Sequence, residues 1–301
     1  MEGQLFVWEW KSETYVLKQQ GHFFDLNCMT YSPDGMYLAT GGDDGKVKCW
    51  TTKNSLCFST FNDHEGAITD IKFMPASLPK KGNAILTSSQ DGTVRAFDLI
   101  KYKNFRTLRP NKHTQLTCLA IESSGDIVCA GSNDPYNVFV WSLKTSQLID
   151  ILSGHTGPIS SVCFSATNGM LTSSSWDQSV KIWDVFGKNG MVDSFGHSHE
   201  VIEALFHPNS NDIVTTTLGG QIHIWDQETN SIKGVIECKH DIQGGRLRDD
   251  RNSAKKSTKN KHFNSLAISP NGQFVLGGGN SKNLCLYDVK NKIMLRRFAI
   301  T

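Results

Sequence analysis

The stretch SGHTGPISSVCFSATNGMLTSSSWDQSVKIWD, Ser153 to Asp184, decides the fold. It opens on Gly154-His155 and closes on Trp183-Asp184. Between them lie three short runs rich in β-branched and aromatic residues, Ile159 to Phe164, Met170 to Ser174 and Ser179 to Trp183, set apart by Asn168-Gly169 and Asp177-Gln178. Such runs between turn-forming pairs predict strand, turn, strand, turn, strand. Imperfect copies recur along most of the chain at a period of roughly 40 residues, the mark of an architecture in which each unit buries its apolar face against the next.

A unit of this period, with Gly-His near its start and Trp-Asp at its end, resembles the WD40 blade. The resemblance implies an all-β propeller and places His155 beside Ser173, Asp177 and Trp183. A carboxylate accepting from an imidazole that also meets a hydroxyl and an indole N–H satisfies the buried polar groups of a tight turn. Each such bond contributes about 0.5–1.5 kcal/mol net. Ser, His and Asp also spell a hydrolase triad, but His22, Thr40, Asp44 and Trp50 repeat the offsets of the first set: 22 residues from His to Asp and 6 from Asp to Trp. A nucleophile is needed once, in a cleft, whereas a brace is needed in many blades. No catalytic residue is therefore expected.

At 38% hydrophobic and 20% charged, the 301 residues have the composition of an ordinary folded chain able to bury a large core. They are expected to form a single propeller over 1–301, since repeat architectures run long as one unit. No apolar run is long enough to span a bilayer, so no membrane partner is expected. The eight cysteines are scattered without a CxxC pair and mostly fall within predicted strands, which reads as buried thiols of a cytosolic or nuclear protein. No metal, cofactor or small-molecule substrate is expected. No phosphate-binding loop is present, because Gly41-Gly42-Asp43-Asp44-Gly45-Lys46 lacks the required spacing.

The net charge of +2 is too small to mark the whole chain as a nucleic-acid binder. Its distribution says more. Arg246, Arg248, Arg251, Lys255, Lys256, Lys259 and Lys261 stand against Asp249 and Asp250, a local charge of +5 in a basic insertion at 241–262. Lys and Arg in such a loop can neutralise phosphates without reading sequence. The competing reading is a solvated insertion with no ligand.

In chain order, Leu5 to Trp8 and Tyr15 to Lys18 read as the second half of a blade, and Gly21-His22 opens the first full repeat. The second begins near His64 and has Phe97-Asp98 for Trp-Asp, with an insertion at Ala76 to Asn83. The third runs from His113, with Ala130 where Ser or Thr is expected. The fourth is the quoted unit. The fifth starts at Gly196-His197 with Gly219 in place of Asp, so this blade is expected to be held by packing alone. The sixth contains the basic insertion, with Ser281 at the Asp position and Tyr287-Asp288 for Trp-Asp. The sum is six complete four-stranded blades plus an N-terminal half blade, a seven-bladed ring missing two strands. Propellers protect their edges by closing, so the chain is expected to be a piece of a longer polypeptide.

QLFVWEWKSETYVLKQQGH, TGGDDGKVKCW, TSSQDGTVRAFDLIKYKNFRT and SGHTGPIS resemble the periodic tryptophan protein 2 family. That resemblance implies a nucleolar, non-enzymatic scaffold of the small-subunit processome. Its implied partners are other processome proteins, with pre-ribosomal and small nucleolar RNA met directly or through the complex. The alternative is a general WD40 interaction module, such as a ubiquitin-ligase substrate receptor or a histone-tail reader, because fold alone does not fix function.

Trp8, Trp50, Trp141, Trp183 and Trp225 fall at equivalent blade positions and read as structural, whereas Trp10 and Trp176 break the pattern. Trp176, one residue before the turn Asp, is the expected exposed partner anchor; inter-blade packing is the competing reading. A second, weaker candidate surface is Lys101 to Arg106, continuing to Arg109 and Lys112, where Phe105 reads as packing rather than base stacking.

Overall fold

The computed structural model describes residues 3–9, 11, 12, 14–75, 84–187, 190–242, 262–279 and 283–299. The basic residues from Arg246 to Lys261, the insertion Ala76 to Asn83, Trp10 and Ser281 lie outside them. The chain forms two compact units, Met1–Gly154 and His155–Thr301.

The first unit opens with a two-stranded sheet, β1 (Gln4–Glu9) with β2 (Thr14–Gln20). Three four-stranded antiparallel meanders follow. The first holds β3 (Leu26–Tyr31), β4 (Tyr37–Gly42), β5 (Val47–Thr51) and β6 (Cys57–Phe61). The second holds β7 (Ile68–Phe73), β8 (Ala84–Ser89), β9 (Val94–Asp98) and β10 (Lys103–Leu108), and the third β11 (Leu116–Ile121), β12 (Ile127–Ser132), β13 (Val138–Ser142) and β14 (Leu148–Leu152).

The second unit repeats the meander three more times. The fourth sheet is β15 (Ile159–Phe164), β16 (Met170–Ser175), β17 (Ser179–Asp184) and β18 (Gly190–Gly196). The fifth is β19 (Val201–Phe206), β20 (Ile213–Thr217), β21 (Gln221–Asp226) and β22 (Ser231–Glu237). The sixth is β23 (Phe263–Ile268), β24 (Phe274–Gly279), β25 (Asn283–Asp288) and β26 (Ile293–Ala299).

Second strands of the first five meanders are almost wholly buried, as in AILTSS of β8 and IVTTT of β20, which is why they carry small and β-branched residues; β24 is only partly buried. Fourth strands are mostly exposed, as in LIDIL of β14. Cores form where one sheet faces the next within a unit. Val47, Cys49 and Phe61 meet Ile68, Ile85 and Phe97 of the following sheet, with Phe61 and Phe97 stacked at 4.4 Å. Met74, Leu86 and Leu108 meet Leu116, Leu119 and Trp141. In the second unit Val180, Ile182 and Phe195 meet Val201, Ala204 and Trp225, and Ile222 and Ile236 meet Phe263 and Tyr287. Full burial of one such side chain is worth about 1.5–3 kcal/mol, so sheet-on-sheet contact dominates each unit.

Two irregularities recur. Every first strand of the six meanders carries a β-bulge just after its first residue, as between Ile68 and Asp70 or Ile159 and Ser161. Every third strand breaks register at its aromatic: Trp50 pairs with Cys57 while Cys49 pairs with Ser59, which leaves Phe58 unmatched, and Phe105 is passed over opposite Phe97 and Ala96 in the same way. Bulges of this kind twist a strand and re-aim its side chains.

Candidate functional site

His155 lies four residues ahead of β15, and the structure brings it together with Ser173 on β16, Asp177 in the β16–β17 turn and Trp183 on β17. Nδ1 is 2.8 Å from Asp177, Nε2 is 2.7 Å from the Ser173 hydroxyl, and the Trp183 indole donates to the same hydroxyl at 2.8 Å. Only one proton arrangement satisfies the set: Nδ1–H donates to the carboxylate, and Nε2 accepts the hydroxyl proton. Burial opposes ionisation of Asp177, but hydrogen bonds from His155 and Ser179 outweigh it and hold the carboxyl well below its ordinary range.

His22, Thr40, Asp44 and Trp50 repeat the geometry at 3.0, 2.9 and 2.9 Å. Burial lowers the His22 imidazole despite the hydrogen bond it donates to Asp44, which keeps the ring neutral as the network requires. A third set joins His64 to Asp91 at 2.8 Å and to Thr87 at 2.7 Å, with Phe97 in the place of the indole. Ser173 is fully buried at 0% exposure, and its oxygen already holds an indole proton. No substrate carbonyl can reach it, so the Ser, His and Asp here brace a turn.

The remaining sheets depart from this pattern. His197 keeps its hydroxyl, with Nε2 at 2.9 Å from Thr215, and its Nε2 also accepts the Trp225 indole at 3.1 Å. The fifth sheet thus holds by these two polar contacts as well as packing, contrary to the expectation from Gly219. Among the described residues no carboxylate meets the buried Nδ1 of His197, because Gly219 stands at the Asp position. Burial, reinforced by the neighbouring His223, pushes the His197 imidazole down to about 4. In the third sheet His113 is exposed and joins no network, and the Trp141 indole turns to the Arg109 carbonyl at 3.4 Å. In the sixth, Tyr287 donates to Asp241 at 3.1 Å.

Trp176 is 61% exposed in the β16–β17 turn, its backbone N–H held by the Pro158 carbonyl at 3.0 Å. Leu218, in the corresponding turn of the fifth sheet, is held by Glu200 in the same way and is 44% exposed. Sequence reasoning missed Leu218, although one position before Gly219 it is as legible as Trp176. The same position carries Asp43, Gln90 and Asn133 in the first unit. Two apolar side chains thus stand exposed at successive equivalent turns of the second unit. Phe105 is 40% exposed at the bulge of β10, and Tyr102 beside it projects from a left-handed turn, with φ 51° and its ring 6.5 Å from Phe58.

The WD domain, G-beta repeat pattern matches residues 13–51, 55–98, 146–184, 190–226 and 255–288. The chain belongs to the WD40 family. It is an all-β chain of the WD40 β-propeller class with its seven sheets as blades, a fold of interaction modules. It is 46% identical over 299 residues to periodic tryptophan protein 2 of Arabidopsis thaliana, covering 99% of this chain and 33% of that protein. The Mus musculus homologue is likewise 46% identical, and the Saccharomyces cerevisiae protein 43% identical with 32% of its length covered. The WD40 chain thus spans about a third of the length of these relatives.

Proposed function

We propose that this WD40 chain is a non-catalytic scaffold in early assembly of the small ribosomal subunit, working in the nucleolus among processome proteins and their pre-ribosomal and small nucleolar RNA. The observation that carries the reading is end-to-end similarity: periodic tryptophan protein 2 relatives match 99% of the chain at 43–46% identity. The buried serine and the repeated braces are consistent with a surface that holds partners rather than one that turns over substrate. In this reading Trp176 and Leu218 anchor a protein, and the seven cations between Arg246 and Lys261 supply a salt-sensitive contact with phosphates or an acidic partner. The proposal includes the architecture of six complete blades and a half blade.

Tagged protein recovered from nuclear extract tests the scaffold reading. Processome proteins and box C/D small nucleolar RNA are expected with it, and Trp176→Ala is expected to lower their recovery roughly tenfold, as for an interface anchor, while the melting temperature stays unchanged. Recovery of cullin adaptors or histones in their place defeats the reading. Undiminished recovery with Trp176→Ala removes the anchor.

A further inference from the structure

The polar brace fails at one seam inside the first unit, and charge takes its place. His22, His64, His155 and His197 each lie four residues ahead of a first strand, β3, β7, β15 and β19. Counting the same four residues back from β11 reaches Lys112, and His113 beside it is exposed. No hydroxyl waits at the corresponding position of β12, where Ala130 is fully buried. The loop between β10 and β11 is instead fastened by the Trp141 indole on the Arg109 carbonyl, and Arg109, Lys112 and His113 are left exposed.

A cleft of about 680 Å³ opens beside this loop, walled by Arg109, Lys112 and His113 on one side and by Arg95 of β9 with Glu65 and Asp91 on the other. That volume is of the size that ligand pockets occupy. Asp91 is committed already: it accepts from His64, from Thr93 and from the Glu65 backbone N–H. Among the described residues, no ion pair joins Arg95, Arg109 or Lys112 to a carboxylate. Three cations therefore share one cleft with a single uncommitted carboxylate, Glu65. Guanidinium groups bind carboxylate and phosphate oxygens in paired hydrogen bonds, and an ammonium adds a point charge.

Apart from the His113 imidazole the lining contains no aromatic side chain, so the cleft offers no row of platforms on which successive bases could stack. It does offer Gln90, Thr93 and Gln115, amide and hydroxyl groups suited to the backbone of an extended peptide. We propose that this cleft of the second and third sheets receives an anionic side chain, phosphorylated or carboxylate, carried on an extended segment of a partner protein. The site is separate from Trp176 and stands or falls independently of the assembly in which the WD40 chain works.

Fluorescence anisotropy with labelled peptides of about ten residues tests it, using a Gly/Ser sequence with two central phosphoserines, the same sequence with two aspartates, and the unmodified sequence, beside a uridine decamer of similar length. The phosphoserine peptide, the aspartate peptide or both are expected to bind, weakening as salt rises from about 50 to 300 mM. Combining Arg109→Ala with Lys112→Ala is expected to weaken binding roughly tenfold, and Lys101→Ala with Lys103→Ala to leave it unchanged. A preference for phosphoserine assigns a modification-dependent partner, and equal binding a constitutively acidic one. Both side chains removed are exposed and the Arg109 carbonyl survives, so an unchanged melting temperature certifies the variant. Failure of both acidic peptides to bind, equal binding of the unmodified peptide, indifference to the double variant, or tighter binding of the uridine decamer through the same residues would each overturn the proposal.

Discussion

His155 and His197 both sit four residues ahead of a first strand and both meet a strand hydroxyl, but only His155 has a carboxylate at Nδ1. Gly219 stands where that carboxylate belongs, and the exposed ring of His199 lies against the space its Cβ would occupy. The His197 imidazole, pushed down to about 4 first by burial and then by His223, stays neutral in the fold while the unfolded chain takes up a proton near 6.5. Stability from this residue is therefore complete above pH 6.5 and falls as pH drops towards 4, by on the order of 2 kcal/mol. Replacing Gly219→Asp is expected to raise the His197 pKa, shrink the loss between pH 6.5 and 4, and add about 0.5–1.5 kcal/mol at neutral pH, with His199 turning outward. Urea denaturation at pH 7 and pH 5 checks this; an acid loss as large in the variant as in the parent would show that His197 does not control it. The missing carboxylate could be read directly from Gly219. The rest could not, because a histidine nitrogen that takes both the Thr215 hydroxyl and the Trp225 indole depends on how the ring turns after the sheets pack.

At the scale of the element, the bulged first strands explain how neighbouring sheets are tied at their inner edges. Each first strand is an edge of its own sheet, so alternate backbone N–H groups face away from its ladder, and one of them reaches the sheet before. Leu119 N–H donates to Asp70 at 3.0 Å, Ala204 N–H to Ser161 at 3.0 Å and Leu266 N–H to Glu203 at 2.5 Å. One position earlier, Asn27 donates to the Ile68 carbonyl at 3.0 Å and Ser160 to the Val201 carbonyl at 2.8 Å. Strand positions are readable because alternation and turn pairs are local; this stitching is not, because its acceptor lies 41 to 63 residues away. The clue was polar residues at the second and third positions of strands that otherwise face a core, Asn27, Asp70, Ser160, Ser161 and Glu203. Asp70→Ala leaves the Leu119 N–H unpaired and is expected to cost about 1–3 kcal/mol, while Asp70→Asn keeps an acceptor and costs less than half of that. Equal losses for the two variants in thermal unfolding would mean the carboxylate acts through charge and not as an acceptor.

For the molecule as a whole, the unresolved matter of stability is the edge of β1, which pairs with β2 alone among the described strands. β1 has the character of a third strand. Gly3 is left-handed at φ 65°, five residues before Trp8, as Gly45 at 68° and Gly92 at 77° are five before Trp50 and Phe97. Leu5 is buried against Leu38 and Trp50, so the apolar face of the half sheet is covered, while among the described strands only β2 pairs with β1. A row of free amides and carbonyls is a template for another strand. Two inner strands of a complete blade would fill it. Amide hydrogen exchange on the 301-residue chain reads the edge directly. Alternate amides of β1 are expected to exchange roughly a hundredfold faster than their counterparts in the central strand β5. The same amides should slow to match β5 in a longer polypeptide that carries the missing strands. Uniform protection along β1 in the 301-residue chain would mean that its edge is already paired, and the half blade would have to be abandoned.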